Sequence, residues 1–553
     1  MKYVVRRKVK ADSCIGLIIL SLFGDIKQYA IKAIKMTGLG TSFISIKWLS
    51  DRVILSVLLT LLLFLSADVR AQVLQPRRFE IPIGQNETNF EIIPAQDEGL
   101  FLYRAFTGTR SGQLHLIHLD TAFAEKWSGF LPVEKNYFVI GKKAYNSQLY
   151  LLLRYKDYSK NDFILIIVDG ATGNYTRRII KGYIPFSPTE FQVARAAVLI
   201  GGYYNKVPIV LHFSLANFQS RVLPGIFNES GELNQIRVNE DGNFDVLISA
   251  LNFQKQRTLW VKNYDVQGNL LRNFTLDVQD NRHLIFGRSL KATNDIQIIA
   301  GVYGSRSAEF SRGIFIASID PSGLQKIRYY NFGDLENFFK YMKAKREKRV
   351  KDRIERRKIK GKKIKFNYRF LVHELVSYKD QFVLLGEAFY PKYSSVSPYG
   401  SFFSPIGRPA NGMIQNGRIF EGYFYTHAVV MGFTPEGNLL WDNSFEINDV
   451  RTFTLEQFVK LDVDNDEIAL LYLYENQLRT KLIRDNDVIE GKTTDPIITG
   501  SVNDVVKKSG STNKLEYWYS EYLYAYGVQE IESQVKGQRN KRVFYINKVK
   551  HVD

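Results

Sequence analysis

The carboxylates that alternate along residues 462–467 are the arrangement in this sequence closest to a metal site. Asp462, Asp464 and Asp466 lie at alternate positions, and carboxylates at such spacing bind Ca²⁺ in EF-hand loops. An EF-hand loop also has a glycine at its sixth position and a distal bidentate glutamate, and this segment has neither. The segment falls where a repeat elsewhere in the chain has a polar turn. We therefore interpret it as a turn, with a metal site as the alternative.

Other residue types that carry chemistry are scattered. No pair of histidines has the spacing of zinc ligands, and the chain has no G-x-S-x-G elbow, P-loop or dinucleotide fingerprint. The single cysteine, Cys14, precedes the predicted mature region. We therefore expect no catalytic residue, metal or cofactor. The histidines are His115, His118, His212, His283, His373, His427 and His551.

The positive charge is concentrated in two segments. The formal net charge is +19, of which residues 1–71 contribute +7 and residues 340–365 contribute +12. Residues 340–365 contain 15 lysines and arginines but only three acidic residues. The rest of the chain has equal numbers of positive and negative charges. This argues against a general nucleic-acid-binding surface and for one local basic element.

The basic segment has the pattern of a helix. Leu335, Phe338, Phe339 and Met342 follow the i, i+3, i+4, i+7 spacing of one helix face, which Val350 and Ile354 continue. Asp334 is a suitable N-cap and Gly361 a suitable stop. We predict one helix over residues 334–360, about 40 Å long at 1.5 Å per residue. Its apolar N-terminal third should dock and its basic remainder should stay exposed, within an insertion over 334–365.

A second insertion, over residues 389–422, is rich in Tyr, Ser, Pro and Gly. Its aromatic residues either pack beneath the basic helix or form a platform on which a sugar ring or a peptide stacks. The residues of interest are Tyr390, Tyr393, Tyr399, Phe402 and Phe403.

These segments interrupt a repeat of about 50 residues in which a polar turn precedes an apolar strand. Self-similarity at this period indicates a repeat architecture, and Asp/Pro/Gly turns between strands indicate hairpins. We predict an all-β fold, a β-propeller of eight four-stranded blades with the basic helix between blades 5 and 6. Seven blades are the alternative, because residues 78–83 can complete an irregular last blade. The predicted blade starts are near residues 86, 135, 187, 232, 283, 366, 451 and 502.

One turn of the repeat suggests a family. Gly437-Asn438-Leu439-Leu440-Trp441 resembles the Gly-plus-Trp ending of quinoprotein-type propeller repeats. The match is good in one blade only, so the resemblance implies the fold but not the quinone or its metal. As a whole, residues 72–553 resemble exported bacterial β-propellers, a resemblance that implies no particular active site.

The N-terminal 71 residues resemble a leader. Residues 53–65 are a 13-residue apolar run between Arg52 and the Val69-Arg70-Ala71 sequence, the pattern of a secretory signal peptide cleaved after Ala71. An uncleaved anchor is the alternative, although the run is shorter than the roughly 20 residues of a membrane span. Met36 would be a more conventional start, so residues 1–35 can be a misassigned extension. We expect an exported protein located in the periplasm, on the cell surface or in the medium.

In an up-and-down blade, the crossover from strand D to the next strand A and the loop between strands B and C lie at the same face. The two insertions should therefore rise side by side. We predict a monomeric, non-enzymatic envelope protein that binds a protein, lipid or polysaccharide partner there, through the aromatic residues above and Lys343, Arg346, Lys348, Arg349, Arg353, Arg356 and Arg357. The alternative is a glycan hydrolase or lyase, for which carboxylates should converge at the channel mouth.

Overall fold

The computed structural model describes residues 73–106, 112–156, 161–182, 184–226, 230–291, 295–305, 309–395, 414–415, 418–464, 466–510, 513–534 and 540–551. The predicted leader, including Cys14, lies outside these residues. No helix in the described ranges is both long enough and apolar enough to cross a membrane.

Eight antiparallel sheets follow one another along the chain, each with four strand positions from A (inner) to D (outer). Strand β1 (Val73–Pro82) belongs to the last of them. Blade 1 consists of β2 (Glu91–Pro94), β3 (Leu100–Ala105), β4 (Gln113–Leu119) and β5 (Glu125–Pro132), and blade 2 of β6 (Tyr137–Tyr145), β7 (Gln148–Tyr155), β8 (Phe163–Asp169) and β9 (Tyr175–Ile180). Blade 3 consists of β10 (Ser187–Ala194), β11 (Ala197–Tyr204), β12 (Val207–Ser214) and β13 (Ser220–Val222), and blade 4 of β14 (Gly231–Val238), β15 (Phe244–Leu251), β16 (Arg257–Tyr264) and β17 (Leu270–Thr275).

The second half of the ring has two longer blades. Blade 5 consists of β18 (His283–Lys291), β19 (Gln297–Gly304), β20 (Ser311–Ile319) and β21 (Gln325–Asn331). Blade 6 consists of β22 (Arg369–Val372), β23 (Val376–Tyr378), β24 (Gln381–Ser395), β25 (Ile414–Gln415), β26 (Arg418–Phe433), β27 (Leu439–Glu446) and β28 (Arg451–Thr452). Blade 7 consists of β29 (Lys460–Asp464), β30 (Glu467–Tyr474), β31 (Gln477–Arg484) and β32 (Asp487–Pro496), and blade 8 of β33 (Asp504–Ser509), β34 (Lys514–Tyr519), β35 (Tyr522–Ser533) and β36 (Lys541–His551) with β1. The predicted eight-bladed propeller is confirmed.

The N-terminal strand closes the ring. Strand β1 pairs with β36 and is strand D of blade 8. Arg78 secures the closure, because its guanidinium donates to the side chains of Gln529 and Asn547 at 2.7 and 2.8 Å. The irregular last unit is thus a complete eighth blade.

Side chains of the B strands are buried on both faces. In β7, Leu149, Leu151 and Leu153 pack toward blade 1, while Tyr150 and Leu152 pack toward blade 3. This alternation follows from the two-residue period of a strand. The described residues therefore form eight apolar clusters, one between each pair of neighbouring blades.

The eighth copy of the repeat, Asn513-Lys514 before residues 515–518, is not equivalent to the other seven. In blades 1 to 7 the apolar stretch after the polar turn is strand B, but in blade 8 it is β34, a strand A. Asn513 directly precedes β34, and Lys514 is the first residue of β34. The Asn513 carboxamide accepts from Val528 N, on β35, at 3.3 Å. This polar pair therefore lies against strand B of its own blade and is not the turn between strands A and B.

The helix is shorter than predicted. It is α1, Ala344–Ile359, 16 residues and so about 24 Å long, and residues 335–343 before it form turns and coil. Asp334 does not cap α1; it accepts from Asn331 N at 3.2 Å. The predicted stop at Gly361 is confirmed, because Gly361 has φ +58° and its amide and that of Lys362 donate to Lys358 O and Arg357 O. This is a Schellman motif.

Candidate partner-binding face

The apolar part of the basic segment fills the space between blades 5 and 6. Leu335, Phe338, Phe339 and Ile354 are 0–5% exposed, in one cluster with the B and C strands of both blades. The predicted docking is confirmed for these residues, although the first three lie in turns and not in a helix. Burial of each such side chain stabilises the folded protein by roughly 1.5–3 kcal/mol.

A buried carboxylate of blade 6 holds the segment that precedes α1. The Asp442 side chain, on β27, accepts from Glu336 N at 2.8 Å and from Asn337 N at 2.7 Å. The Asn337 carboxamide donates to Asp442 O at 2.5 Å. Burial raises the pKa of Asp442, while the two amide donors favour its charged form. The segment is therefore held to the outer strand of blade 6.

The basic segment packs on His427, on β26. The Tyr341 ring stacks on the imidazole at 3.8 Å, and the Phe338 ring meets it edge-on at 4.8 Å. His427 is fully buried, which lowers its pKa to about 3. Two residues before His427, Tyr425 pairs with Phe389 at the base of the long β24–β26 hairpin. The basic segment is thus anchored at the foot of the aromatic insertion.

The predicted cations of α1 and its N-cap are all exposed. They are Lys343, Arg346, Lys348, Arg349, Arg353, Arg356 and Arg357, and we call this set the basic face. Within the part of the chain that the structure describes, the ion pairs of residues 340–365 are Lys351–Glu347 at 2.7 Å and Lys358–Asp334 at 3.7 Å. Most of the positive charge is therefore not neutralised within the molecule.

Topology places the aromatic insertion at the same end as the basic face. Strands alternate in direction, so the β21–β22 and β24–β26 connections leave the propeller at one end. On the described stem, Tyr390 is 46% and Tyr393 41% exposed, and their rings pack against Phe424 and Phe420. The other predicted aromatic residues, Tyr399, Phe402 and Phe403, lie outside the described residues.

Several charged side chains at the A-strand positions form ion pairs across neighbouring blades. Glu374 lies 3.3 Å from Arg288 and 3.6 Å from Arg237, and accepts from the Gln235 carboxamide at 2.6 Å. These contacts join blades 4, 5 and 6. Further pairs of this kind are Lys460–Glu516, Lys514–Glu456 and Lys142–Glu91. These carboxylates therefore act as ties between blades.

The calcium-like segment is a hairpin turn, as predicted. Asp464, the last residue of β29, is opposite Glu467, the first residue of β30, in the antiparallel ladder. Asp466 pairs with Lys379, and Glu467 with Arg484 at 2.7 Å. No cluster of three or more metal-ligating side chains occurs among the described residues.

Sequence reasoning missed a buried pair, His373 and Glu387. The Glu387 carboxylate is 0% exposed, lies 2.7 Å from His373 Nε2, and accepts from the amides of Phe458 and Val459 at 2.9 Å. The available signal was a glutamate inside the apolar strand 382–389. A buried carboxylate needs partners, and here they come from the crossover to blade 7.

The resemblance at residues 437–441 has a structural explanation. Gly437 has φ +81° in the turn before β27, and Trp441 is buried with its indole donating to Gln381 Oε1 at 2.8 Å. The indole covers Gly432, where a Cβ would come within 2.3 Å of the ring. Turn and tryptophan together hold the C–D hairpin of blade 6.

No protein-family model and no curated protein matches the chain. Solved structures similar to it include the polysaccharide lyase Uly1 (11% identity, 86% of this chain and 100% of that chain, TM-score 0.38). Others are the dihydro-heme d1 dehydrogenase NirN (12%, 88% and 80%, 0.40) and the β-propeller domain of the trilobed protease from Pyrococcus furiosus (10%, 73% and 98%, 0.34). At these identities and TM-scores the similarities carry no information about function.

Proposed function

We propose that the chain is an exported, non-enzymatic binding protein of the bacterial cell envelope, which attaches to an anionic surface through the basic face. The observation that supports this most is the set of seven exposed cations at one end of the propeller, beside a local charge excess of +12. A rigidly anchored cationic helix presents this charge without a large ordering cost on binding.

Anionic lipid is the partner class that the surroundings of the cations favour. Ile359, the last residue of α1, is 82% exposed between cationic neighbours. Tyr390 and Tyr393 are exposed at the same end of the propeller. Apolar and tyrosine side chains beside Lys and Arg suit the interface of a lipid bilayer, whereas an acidic polysaccharide would give exposed isoleucine no partner.

Charge reversal on α1 tests the proposal. Arg349, Arg353 and Arg356 share the helix face opposite the buried Ile354. Each cation near an anionic membrane contributes about 1 kcal/mol. The triple variant Arg349→Glu, Arg353→Glu, Arg356→Glu should therefore bind phosphatidylglycerol vesicles about 100-fold more weakly at about 0.1 M salt, as measured by vesicle co-sedimentation.

The matched control reverses three exposed cations elsewhere, with Arg195→Glu, Lys326→Glu and Lys508→Glu. It has the same net charge and should keep at least most of the affinity. Equal weakening in both variants would mean that only net charge matters. Binding of the parent protein to phosphatidylcholine as tight as to phosphatidylglycerol, or to acidic polysaccharide alone, would refute the lipid assignment. Deleting residues 334–365 is unsuitable, because it removes buried Leu335, Phe338, Phe339 and Ile354.

A further inference from the structure

Exposed hydrophobic side chains in the connections between strands are concentrated at one end of the propeller. The B–C loops and the D–A crossovers lie at this end, together with the basic face, and we call it the crossover end. Among the described residues, seven exposed large hydrophobic side chains lie in its connections, and two lie in the turns at the opposite end. The seven are Phe253, Phe310, Ile359, Phe453, Leu455, Ile498 and Val502, and the two are Phe218 and Leu324. The two ends therefore offer different surfaces to a partner.

Three of these side chains are almost completely exposed. Val502 is fully exposed, Phe253 is 96% exposed and Ile359 is 82% exposed. They lie on the crossover from blade 7 to blade 8, on the B–C turn of blade 4, and at the end of α1 between blades 5 and 6. Since all three lie at the crossover end but on different blades, one surface laid across that end can touch all three. We call these side chains the three tips.

The turn that carries Phe253 is fixed by hydrogen bonds. Asn252 Oδ1 accepts from Gln256 N at 2.9 Å, and Lys255 N donates to Asn252 O at 2.9 Å. The Gln256 carboxamide donates to Asp280 O, on the neighbouring crossover, at 2.7 Å. Phe253 is therefore held away from the body of the protein. Its insertion into a partner would cost little conformational entropy of the backbone.

The crossover that carries Val502 is fixed in a similar way. Asp504 N donates to Ser501 O at 3.1 Å, and Asn503 N donates to Ser501 Oγ at 3.3 Å. The Asp504 side chain is 4% exposed and lies 3.1 Å from Lys541 Nζ. This carboxylate is therefore neutralised and places no free negative charge beside the tip.

Unpaired cations accompany the Phe253 turn. Lys255, in the same turn, and Lys206, on the B–C turn of blade 3, are exposed, and their side chains form no ion pair or hydrogen bond in the described part of the chain. Lys206 and Arg257 line one cleft of about 460 Å³ beside the base of the turn. Arg257 pairs with Glu232 at 3.3 Å, so the two lysines supply the net positive charge. An apolar tip beside free lysines suits the interface of an anionic bilayer, where phosphates lie above the acyl chains.

A lipid bilayer suits the three tips better than a folded protein does. The residues next to each tip in the chain are polar or cationic, and the tips belong to different blades. A protein-binding surface has a contiguous, well-packed core, so a folded partner would need a separate pocket for each tip at a fixed distance. The acyl chains of a bilayer rearrange around each inserted side chain independently.

We propose that the crossover end lies flat on an anionic bilayer, with Phe253 and Val502 inserted between the acyl chains as Ile359 is. The inference rests on the proposed attachment to anionic lipid. It adds two points of insertion outside the basic face, and it fixes the orientation of the ring, with the propeller axis roughly perpendicular to the membrane.

Vesicles of phosphatidylglycerol brominated in its acyl chains test the insertion. Bromine quenches a tryptophan that enters the hydrocarbon layer. In the full chain, Phe253→Trp and Val502→Trp should each lose more fluorescence on these vesicles than the parent protein, whose own tryptophans give the baseline. The matched control is Leu324→Trp, since Leu324 is 72% exposed in a C–D turn at the opposite end. The control should lose no more fluorescence than the parent protein.

Serine variants measure what the tips contribute to binding. Phe253→Ser should weaken co-sedimentation with phosphatidylglycerol vesicles about tenfold, since burial of one such side chain is worth at least this factor. Salt does not screen apolar contacts, so the double variant Phe253→Ser, Val502→Ser should lose the binding that the parent protein keeps at about 0.5 M salt. Leu324→Ser should bind like the parent protein at every salt concentration. All three positions are exposed, so these variants should keep the fold.

The outcomes separate this inference from the proposed function. Vesicle binding with extra quenching at neither position 253 nor position 502 would overturn the inference and leave the role of the basic face intact. Extra quenching at only one of them, or equal quenching at position 324, would overturn the flat orientation. If the charge-reversal variant of α1 kept its affinity while both tips were quenched, the basic face would be refuted and insertion supported. No vesicle binding by the parent protein would overturn both.

Discussion

Replacing Glu387 by alanine should lower the free energy of unfolding by about 3–5 kcal/mol. Its fully buried carboxylate accepts from two backbone amides, Phe458 and Val459, and contacts His373. The substitution leaves these buried donors without an acceptor, at about 1–3 kcal/mol each where no water enters, and also leaves a cavity. Urea unfolding followed by tryptophan fluorescence measures the change.

Two further variants separate the role of Glu387 from that of any strand glutamate. Glu387→Gln keeps an oxygen acceptor in nearly the same volume and should lose less than the alanine variant. Glu446→Ala removes an exposed glutamate from β27 of the same blade and should change stability by no more than about 0.5 kcal/mol. A loss below about 1 kcal/mol in Glu387→Ala would show that the carboxylate does not tie blade 6 to the crossover.

The parts of the fold that could be predicted are those encoded locally. An apolar strand after a polar turn, such as residues 149–152 after Asn146-Ser147, reports burial on both faces of a B strand. The spacing of Leu335, Phe338 and Phe339 reported their burial correctly. The same spacing misplaced the start of α1, because residues spaced by three and four also share one side of consecutive tight turns.

What could not be predicted depends on residues far apart in sequence. The amides of Glu336 and Asn337 donate to Asp442, more than 100 positions away. Residues 96–97 and residues 517–522 line one cleft between blades 1 and 8, which only closure of the ring by β1 brings together. Because the partners in each contact lie far apart in the sequence, no local pattern of residues indicates either contact. The basic face was accessible to prediction because its charge is contiguous.

The burial of His427 predicts a specific acid sensitivity. Its pKa is about 3 in the folded protein because of burial, against about 6.5 in an unfolded chain. Between these values the unfolded chain binds a proton that the folded protein does not. The free energy of unfolding should therefore fall as the pH falls from 6.5 towards 3, by about 1.4 kcal/mol per pH unit from this residue alone. Above pH 6.5 this contribution is constant.

His427→Phe removes the titrating group but keeps a flat ring between Phe338 and Tyr341. At pH 7.5 the variant should be less stable, because the bond of Thr426 to the imidazole at 2.9 Å is lost. Its stability should nevertheless decline less steeply below pH 6.5 than that of the parent protein, by about 1.4 kcal/mol per unit in urea titrations at pH 6.5, 5.5 and 4.5. Parallel profiles would mean that His427 is protonated in the folded protein. The imidazole would then need an acceptor for its second N–H, and the ring contacts with Tyr341 and Phe338 would have to open to provide one.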